Sequence, residues 1–589
     1  MKGCESKLPL PHLGLLAIEI ADAPHRDEEE RLGDGLSARA MNIESTIASM
    51  TTEEKVGQLF MLAFAGDQLG EARILMEEHL VGGAYISDDN VPSAAVARKL
   101  CNRLQSFAGN TRLGIPLLLG ADQEGTWSVM TAESAMGPGN MALGATDDPQ
   151  CAYDMYGVIA RETSAVGLNV VLGPAADCNS NPHNSIIGMR SFGEAPERVA
   201  AMTAAALRGL HENGAVGALK HFPGHGDTRL DSHRGLPTVE RPRADLMRID
   251  LRPFVAGIEA GAKIVMTSHI VFSALDPARP ATLSPIILGD LLRGELGFNG
   301  MIVSDSMNMH SMKRNYDPIE AVIQAFQAGV DLMMLAAEHY DHDAGQYLEN
   351  QRALIRAIIR AVDAEVIRPE RVDDALRRVL RLKVEAGFSS APLPANNEVG
   401  SEANRAIELS VARRAVSVLR DRKGRLPLDP AAPFTVVNTT RRSAYEVLTT
   451  TRGIGPNQAT PAFDVFADAL GAACPELTII AAEDFAGANL PDTGAIVAVT
   501  ENYTLPGMDF DGALQAAIVR ALHEAAGERL IVVALRDPYE LATFPEINAY
   551  ICSFSFRPCA ARTAADVLLG KCAASGSSPV SVPGTEIQA

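Results

Sequence analysis

The sequence predicts an α/β protein in two units, a (β/α)8 TIM barrel followed by a smaller αβα sandwich. Three observations carry this expectation. Between about residues 44 and 388, short apolar runs alternate with helix-like stretches. Nearly every run ends in polar or ionisable residues. After Gly387 the text changes, passes through a segment rich in Pro, Ser, Asn and Gly, and resumes as a second α/β pattern.

The helix-like stretches of the first unit include 51–62, 94–107, 196–213 and 317–328. Between and around them lie VGGAYIS (81–87), IPLLLGADQEG (115–125), LNVVLGPAAD (168–177), GALKHFPG (217–224), KIVMTSHI (263–270), GMIVSDS (300–306) and GVDLMML (329–335). Continuous apolar runs bounded by glycine or polar residues suit strands buried on both faces, and alternation with helices suits βαβ units. Seven or eight such repeats suggest a closed barrel rather than an open sheet. Their polar ends, Asp122 with Gln123 and Glu124, Asp177, Lys220 with His221, Ser268 with His269, and Asp305, then converge on the carboxyl face, where barrel enzymes keep their chemistry.

The second pattern comprises FTVVN (434–438), LTIIAA (477–482), AIVAVT (495–500), RLIVVAL (529–535) and AYICSF (549–554), ahead of which 403–419 reads as helix. It has no glycine-rich phosphate loop. The expected organisation is an N-terminal extension over 1–43, a catalytic barrel over 44–388, a linker over 389–430, the sandwich over 431–575 and a C-terminal tail over 576–589.

Length and composition agree with two sizeable units: 589 residues, 47% hydrophobic and 21% charged. A formal net charge of −21 repels polyanions, so nucleic acid is not an expected partner. The eight cysteines are scattered with no CxxC pair, which fits a reducing compartment. The apolar stretch near the N-terminus is broken by Glu19 and Asp22, and no later run is long enough to cross a bilayer. These features read as a cytoplasmic protein without a membrane partner. They leave the oligomeric state open.

The stretch ALKHFPGHGDTRLDSHRGLP (218–237) holds three of the 13 histidines, His221, His225 and His233. Metal ligation, proton transfer and loop packing are the competing readings. His221, His225, Asp227, Asp231 and His233 are all ligand types, yet their spacing matches no common metal motif and Lys220 sits beside them. In the proton-transfer reading Asp231 accepts the N–H of His233, fixes its tautomer and stabilises the protonated ring. Asp305, at a strand end, then supplies a fixed carboxylate. A nucleophilic carboxylate and a separate proton donor are the parts of retaining glycoside hydrolysis. His225 alone reads best as a residue that shapes the loop.

KHFPGHGDTRLDSHRGLP resembles the signature of glycoside hydrolase family 3, in its NagZ-like β-N-acetylglucosaminidase branch. VGQLFMLAF (56–64), GADQEG (120–125), DCNSNPHNSIIGMRSFG (177–193), GFNGMIVSDSMNM (297–309) and AGVDLMM (328–334) follow in the family's order. AVSVLRDRKGRLPL (415–428) and the segment 565–584 are similar to the two-domain members. The resemblance implies a barrel followed by a sandwich and a double-displacement mechanism without a cofactor or metal. It assigns Asp305 as nucleophile, His233 as general acid and then base, and Asp231 as its partner. It also implies that Asp122, Arg190, Lys220 and His221 hold sugar hydroxyls.

The implied activity is removal of terminal β-linked N-acetylglucosamine from a small substrate such as a muropeptide or a chitooligosaccharide. The alternatives are an exo-glycosidase of altered glycon, a β-glucosidase or β-N-acetylgalactosaminidase, and an impaired carbohydrate-binding protein. They are motivated by DQEGTWSVM, where Thr126 replaces a second glycine, Met130 stands where arginine is common, and Trp127 is the chain's single tryptophan. Trp127 reads equally as a stacking platform or as loop packing. Ser185 is a milder departure, at a position often proline.

Overall fold

The computed structural model describes residues 41–66, 69–229, 236–336, 344–442, 460–502 and 510–587. The first unit contains β1 (Phe60–Leu62), β2 (Gly83–Tyr85), β3 (Leu118–Ala121), β4 (Val170–Val171), β5 (Val216–Phe222), β6 (Thr238–Val239), β7 (Ile264–Thr267), β8 (Val271–Phe272), β9 (Asp276–Pro280), β10 (Met301–Val303) and β11 (Met333–Leu335). Eight of these form one parallel sheet in the order β10-β7-β5-β4-β3-β2-β1-β11. A parallel bridge from Val303 to Leu332 brings its two ends together, so the sheet closes on itself as a barrel. The remaining three, β6, β8 and β9, make a small sheet of their own.

Local signals explain where the helices between the strands begin and end. Pro149–Val166 starts with the Asp148 carboxylate accepting from the Gln150 N–H and with proline in its first turn. It stops at Gly167, whose φ of +96° a side chain would resist. Pro318–Ala328 is capped by Asp317, which accepts from the N–H groups of Ile319 and Glu320.

One barrel strand lies inside a stretch that reads as helix. The helix Thr52–Gly57, fixed by a capping box between Thr51 and Glu54, ends before β1. The apolar run from Phe60 to Phe64 is fully buried and pairs in parallel with both β2 and β11. A short apolar run has no periodicity of its own to separate it from a preceding helix.

The second unit is a six-stranded sheet in the order β12-β17-β16-β15-β13-β14, built from β12 (Ser417–Asp421), β13 (Phe434–Asn438), β14 (Leu477–Ile480), β15 (Ala495–Thr500), β16 (Leu530–Ala534) and β17 (Ala549–Cys552). Five strands run parallel; β12 pairs antiparallel with β17. Within 389–430 the helix Glu402–Ala415 leads directly into β12, so the stretch 403–419 divides between a helix and an edge strand. Val416 and Val418 favour extended backbone at that division. From the far end of the chain, Val580 and Val582 are buried in the sandwich core.

The two units share apolar packing, because Met141, Ala142, Ala145 and Met189 of the barrel side join the core of the sandwich. Polar contacts reinforce this. Asn179 donates to the Tyr539 hydroxyl at 2.7 Å, the Gly137 N–H donates to Glu408 at 2.8 Å, and the Ser577 and Glu194 N–H groups donate to the Ala145 and Pro579 carbonyls. Among the described residues no helix is long and apolar enough to cross a membrane, and the seven described cysteines are free thiols.

Candidate active site

The carboxyl ends of the barrel strands open on a cavity of about 540 Å³ that the sandwich roofs. Asp122, Arg190, Lys220, His221 and Asp305 line it from the barrel. Asn502, Arg536, Asp537, Tyr539, Glu540 and Phe556 line it from the sandwich. Each barrel residue is delivered by the end of a strand or by the loop after it. Asp122 and Glu124 follow β3, Asp177 and Arg190 lie beyond β4, Lys220 and His221 are in β5, and Asp305 follows β10.

A buried ionic network organises the floor. Lys220 reaches Asp122 at 2.5 Å and Glu124 at 2.6 Å. Arg190 grips both oxygens of Glu124, at 2.9 and 2.8 Å. The Tyr85 hydroxyl donates to the other oxygen of Asp122 at 2.8 Å. Glu124 has no exposure at all, whereas Asp122 keeps 20% of its side chain open to the cavity and Arg190 keeps 17%. Burial by itself raises the Glu124 carboxyl, but the charges of Arg190 and Lys220 and their hydrogen bonds hold it down at about 2. Burial likewise opposes the charge on Lys220, and Asp122 and Glu124 more than offset it, so its ammonium is stabilised above the usual range. Glu124 thus stays ionised beneath the cavity, with the more exposed Asp122 and Arg190 lining it.

Asp177, beyond the neighbouring strand, has a similar supporting role. Its carboxylate accepts from the His221 Nδ1 at 2.8 Å and from the backbone N–H groups of His221 and His225, at 3.1 and 2.7 Å. With Nδ1–H engaged there, His221 Nε2 is the nitrogen that faces Arg190, 3.4 Å away. His225 is buried, with Nδ1 2.8 Å from the Thr228 hydroxyl. Burial and then the neighbouring His221 lower its pKa to about 4.

Asp305 is partly exposed to the cavity, and one of its oxygens accepts from the Ser306 N–H at 2.7 Å. The next residue is itself fixed: the Nε2–H of buried His269 donates to the Ser306 carbonyl at 3.0 Å. The Ser306 hydroxyl is hydrogen-bonded to Asn308 and accepts from the Ala336 N–H. Support of this kind holds the Asp305 carboxylate in one place at the strand end.

Of the residues singled out from the sequence, Asp122, Arg190, Lys220, His221 and Asp305 come together around this one cavity. Asp231 and His233 lie outside the described residues. On either side of them, Asp227 pairs with Arg241 at 2.9 Å, and Arg241 pairs with the buried Asp250 at 2.6 Å. Trp127 lines the cavity, half-buried. Met130 does not line it: its side chain is buried in the barrel core. The supporting roles of Glu124, Asp177 and Tyr85 had only their place at strand ends to mark them. The sandwich residues had no local signal, since nothing near Asn502 or Arg536 in sequence points to the barrel.

Ionised groups on a polar floor, arranged around a cavity with a supported carboxylate at one strand end, suit a hydroxyl-rich ligand bound through charge-assisted hydrogen bonds. The class so defined is a barrel enzyme acting on carbohydrate, a glycoside hydrolase. Comparison with known proteins makes this specific. Residues 51–382 match the model of the glycosyl hydrolase family 3 N-terminal domain. β-Hexosaminidase A of Pseudoalteromonas piscicida is 31% identical over 90% of this chain and 97% of its own length. A β-N-acetylglucosaminidase/β-glucosidase of Cellulomonas fimi is 30% identical over 91% and 95%. Among solved structures, a family 3 β-N-acetylglucosaminidase from Paenibacillus sp. str. FPU-7 superposes with a TM-score of 0.78, at 30% identity, over 91% of this chain and all of that one. The chain belongs to glycoside hydrolase family 3.

Proposed function

We propose that this glycoside hydrolase is a retaining exo-glycosidase that removes terminal β-linked N-acetylglucosamine from small oligosaccharides such as chitooligosaccharides or muropeptides. The observation that carries the reading is the convergence of Asp305 with Asp122, Arg190, Lys220 and His221 on one cavity of sugar size. The names of the relatives support the glycon.

In the first step the Asp305 carboxylate attacks the anomeric carbon while His233, protonated and paired with Asp231, gives its proton to the departing oxygen. The aglycon leaves as an alcohol and the sugar stays as a glycosyl ester of Asp305. In the second step neutral His233 takes a proton from water, whose oxygen attacks the anomeric carbon and releases Asp305. Asp122, Arg190, Lys220 and His221 orient the sugar through its hydroxyls, with Glu124 and Asp177 holding the cations and the imidazole in place. An imidazole donor suits a site already carrying an anionic nucleophile, because a second carboxylate nearby would be driven to share a proton with the first.

A second glycon, glucose, is favoured by one observation: the Cellulomonas fimi relative is named for both activities. Initial rates on the p-nitrophenyl β-glycosides of GlcNAc, GalNAc and glucose, with and without EDTA, test the reading. Preference for GlcNAc unaffected by EDTA is the expected result. Preference for glucose or GalNAc would move the glycon and keep the mechanism, and loss of activity in EDTA would overturn the metal-free mechanism.

A further inference from the structure

A buried sandwich side chain, Arg557, holds the turn that carries part of the barrel's sugar site. Residues 122–129 form a tight hairpin: Val129 N–H donates to the Asp122 carbonyl at 3.0 Å, Gln123 and Ser128 form an antiparallel bridge, and Glu124 N–H donates to the Trp127 carbonyl at 2.7 Å. The turn residues are Gly125, at φ +78°, and Thr126. Both are buried. Their carbonyls are taken up by Arg557, whose Nε donates to Gly125 at 2.8 Å and whose Nη2 donates to Thr126 at 2.9 Å. Buried carbonyls need such partners, and the planar fork of a guanidinium meets two adjacent acceptors at once, which an ammonium does not.

Arg557 is itself well anchored. It is 1% exposed, it is the N-cap residue of the helix Pro558–Leu568, and its guanidinium carbon lies 5.1 Å from the centre of the Phe556 ring. From the turn the connection runs directly to the sugar site. The Thr126 hydroxyl donates to the carbonyl of Met189, the residue before Arg190, and Glu124 holds Arg190 and Lys220.

We propose that Arg557 is a positioning residue: a sandwich side chain that sets the conformation of the 122–129 hairpin and, through Glu124, the placement of Asp122, Lys220 and Arg190 in the barrel. The sandwich then belongs to the glycon site's scaffold, and the two units act as one catalytic body. The inference rests on the reading of Asp122, Lys220 and Arg190 as glycon ligands.

The chain provides its own reporter, because its single tryptophan, Trp127, sits at the end of this turn. Full-length Arg557→Lys and Arg557→Met are compared with wild type by thermal unfolding, by acrylamide quenching of Trp127 emission, and by kcat and KM on p-nitrophenyl β-GlcNAc. In a folded variant, Trp127 is expected to become more accessible to the quencher. kcat/KM is expected to fall by up to about 100-fold, the loss that a misplacement of about 1 Å at an orienting group produces. The loss should be smaller for Lys than for Met, and should shrink when Asp122→Asn is already present, because the two act on one site. Wild-type quenching together with wild-type kcat/KM in either folded variant would overturn the proposal, as would losses that simply add to those of Asp122→Asn. If Arg557→Met does not fold, Arg557→Lys decides. Wild-type activity in Asp122→Asn alone would remove the glycon reading, while Trp127 quenching would still judge the brace.

Discussion

Replacing Glu124 by Gln removes a fully buried carboxylate from between two cations while leaving the shape of the side chain nearly unchanged. In the wild type, the carboxyl is held at about 2 against an ordinary 4.5. At about 1.4 kcal/mol per pKa unit, this corresponds to roughly 3–4 kcal/mol of stability at neutral pH. Removing one member of a buried ion pair independently predicts a loss of about 3–5 kcal/mol, because Arg190 and Lys220 are left without their compensating charge. The sign with pH follows from the direction of the shift. The contribution of a carboxylate whose folded value is depressed is complete above 4.5 and disappears as pH falls through 2. At pH 3 less than half of it remains. Urea unfolding of wild type and Glu124→Gln at pH 7, 5, 4 and 3 measures this. The gap between them should be widest at pH 7 and 5 and should narrow from pH 4 downward. A constant gap over this range would refute the ionised, pair-held Glu124. Activity should fall as well, since Gln can grip neither Arg190 nor Lys220 by charge.

Asp305→Asn should lower kcat on p-nitrophenyl β-GlcNAc by at least about 1000-fold with little change in melting temperature, because the proposed nucleophile is lost but its backbone support is not; a rate within tenfold of wild type would move the nucleophile elsewhere. His225, lowered to about 4 by burial and by His221, stays neutral across the working range. His225→Asn should therefore leave the alkaline limb of the kcat/KM profile at its wild-type pH, and a shift of that limb would assign it to His225 rather than His233. At the opposite end of the barrel, the Lys383 ammonium is buried against the Gln58 side chain, at 3.0 Å, and the Gly82 carbonyl, at 2.9 Å. Burial lowers its pKa from 10.5 to about 7. Its charge therefore costs stability at and below neutral pH and is relieved as pH rises from 7 toward 10.5. Over that range wild type should gain about 1 kcal/mol per pH unit relative to Lys383→Met, and parallel stability curves would refute it.

Much of the fold was legible because the barrel advertises itself twice, in strand runs too apolar for a solvated face and in the polar residues that end them. Asp122, Lys220, His221 and Asp305 were found by that second feature. Strand β1 escaped because Phe60–Leu62 continues the apolar content of the helix before it, and only its pairing with β2 and β11 decides its conformation. The helix–strand division at Val416 is set in the same way, by pairing with β17.

The site's support was less visible. Glu124 looks like one more acid at a strand end until Arg190, 66 residues away, is placed against it. The contact between Arg557 and Gly125 spans 432 residues and leaves no periodicity or motif at either end. Met130 shows the limit from the other side. Its departure from the family pattern is plain in the sequence, but only packing shows that the side chain has turned into the core.

In the proposed mechanism Asp305 carries the sugar between the two steps. A slow substrate, a 5-fluoro-β-N-acetylglucosaminyl fluoride, should accumulate the glycosyl-enzyme, and mass spectrometry of the digested protein locates the ester. One added fluorosugar on the peptide containing Asp305 is expected. A label on another carboxylate, or turnover that yields the α-anomer first with no labelled peptide, would contradict it.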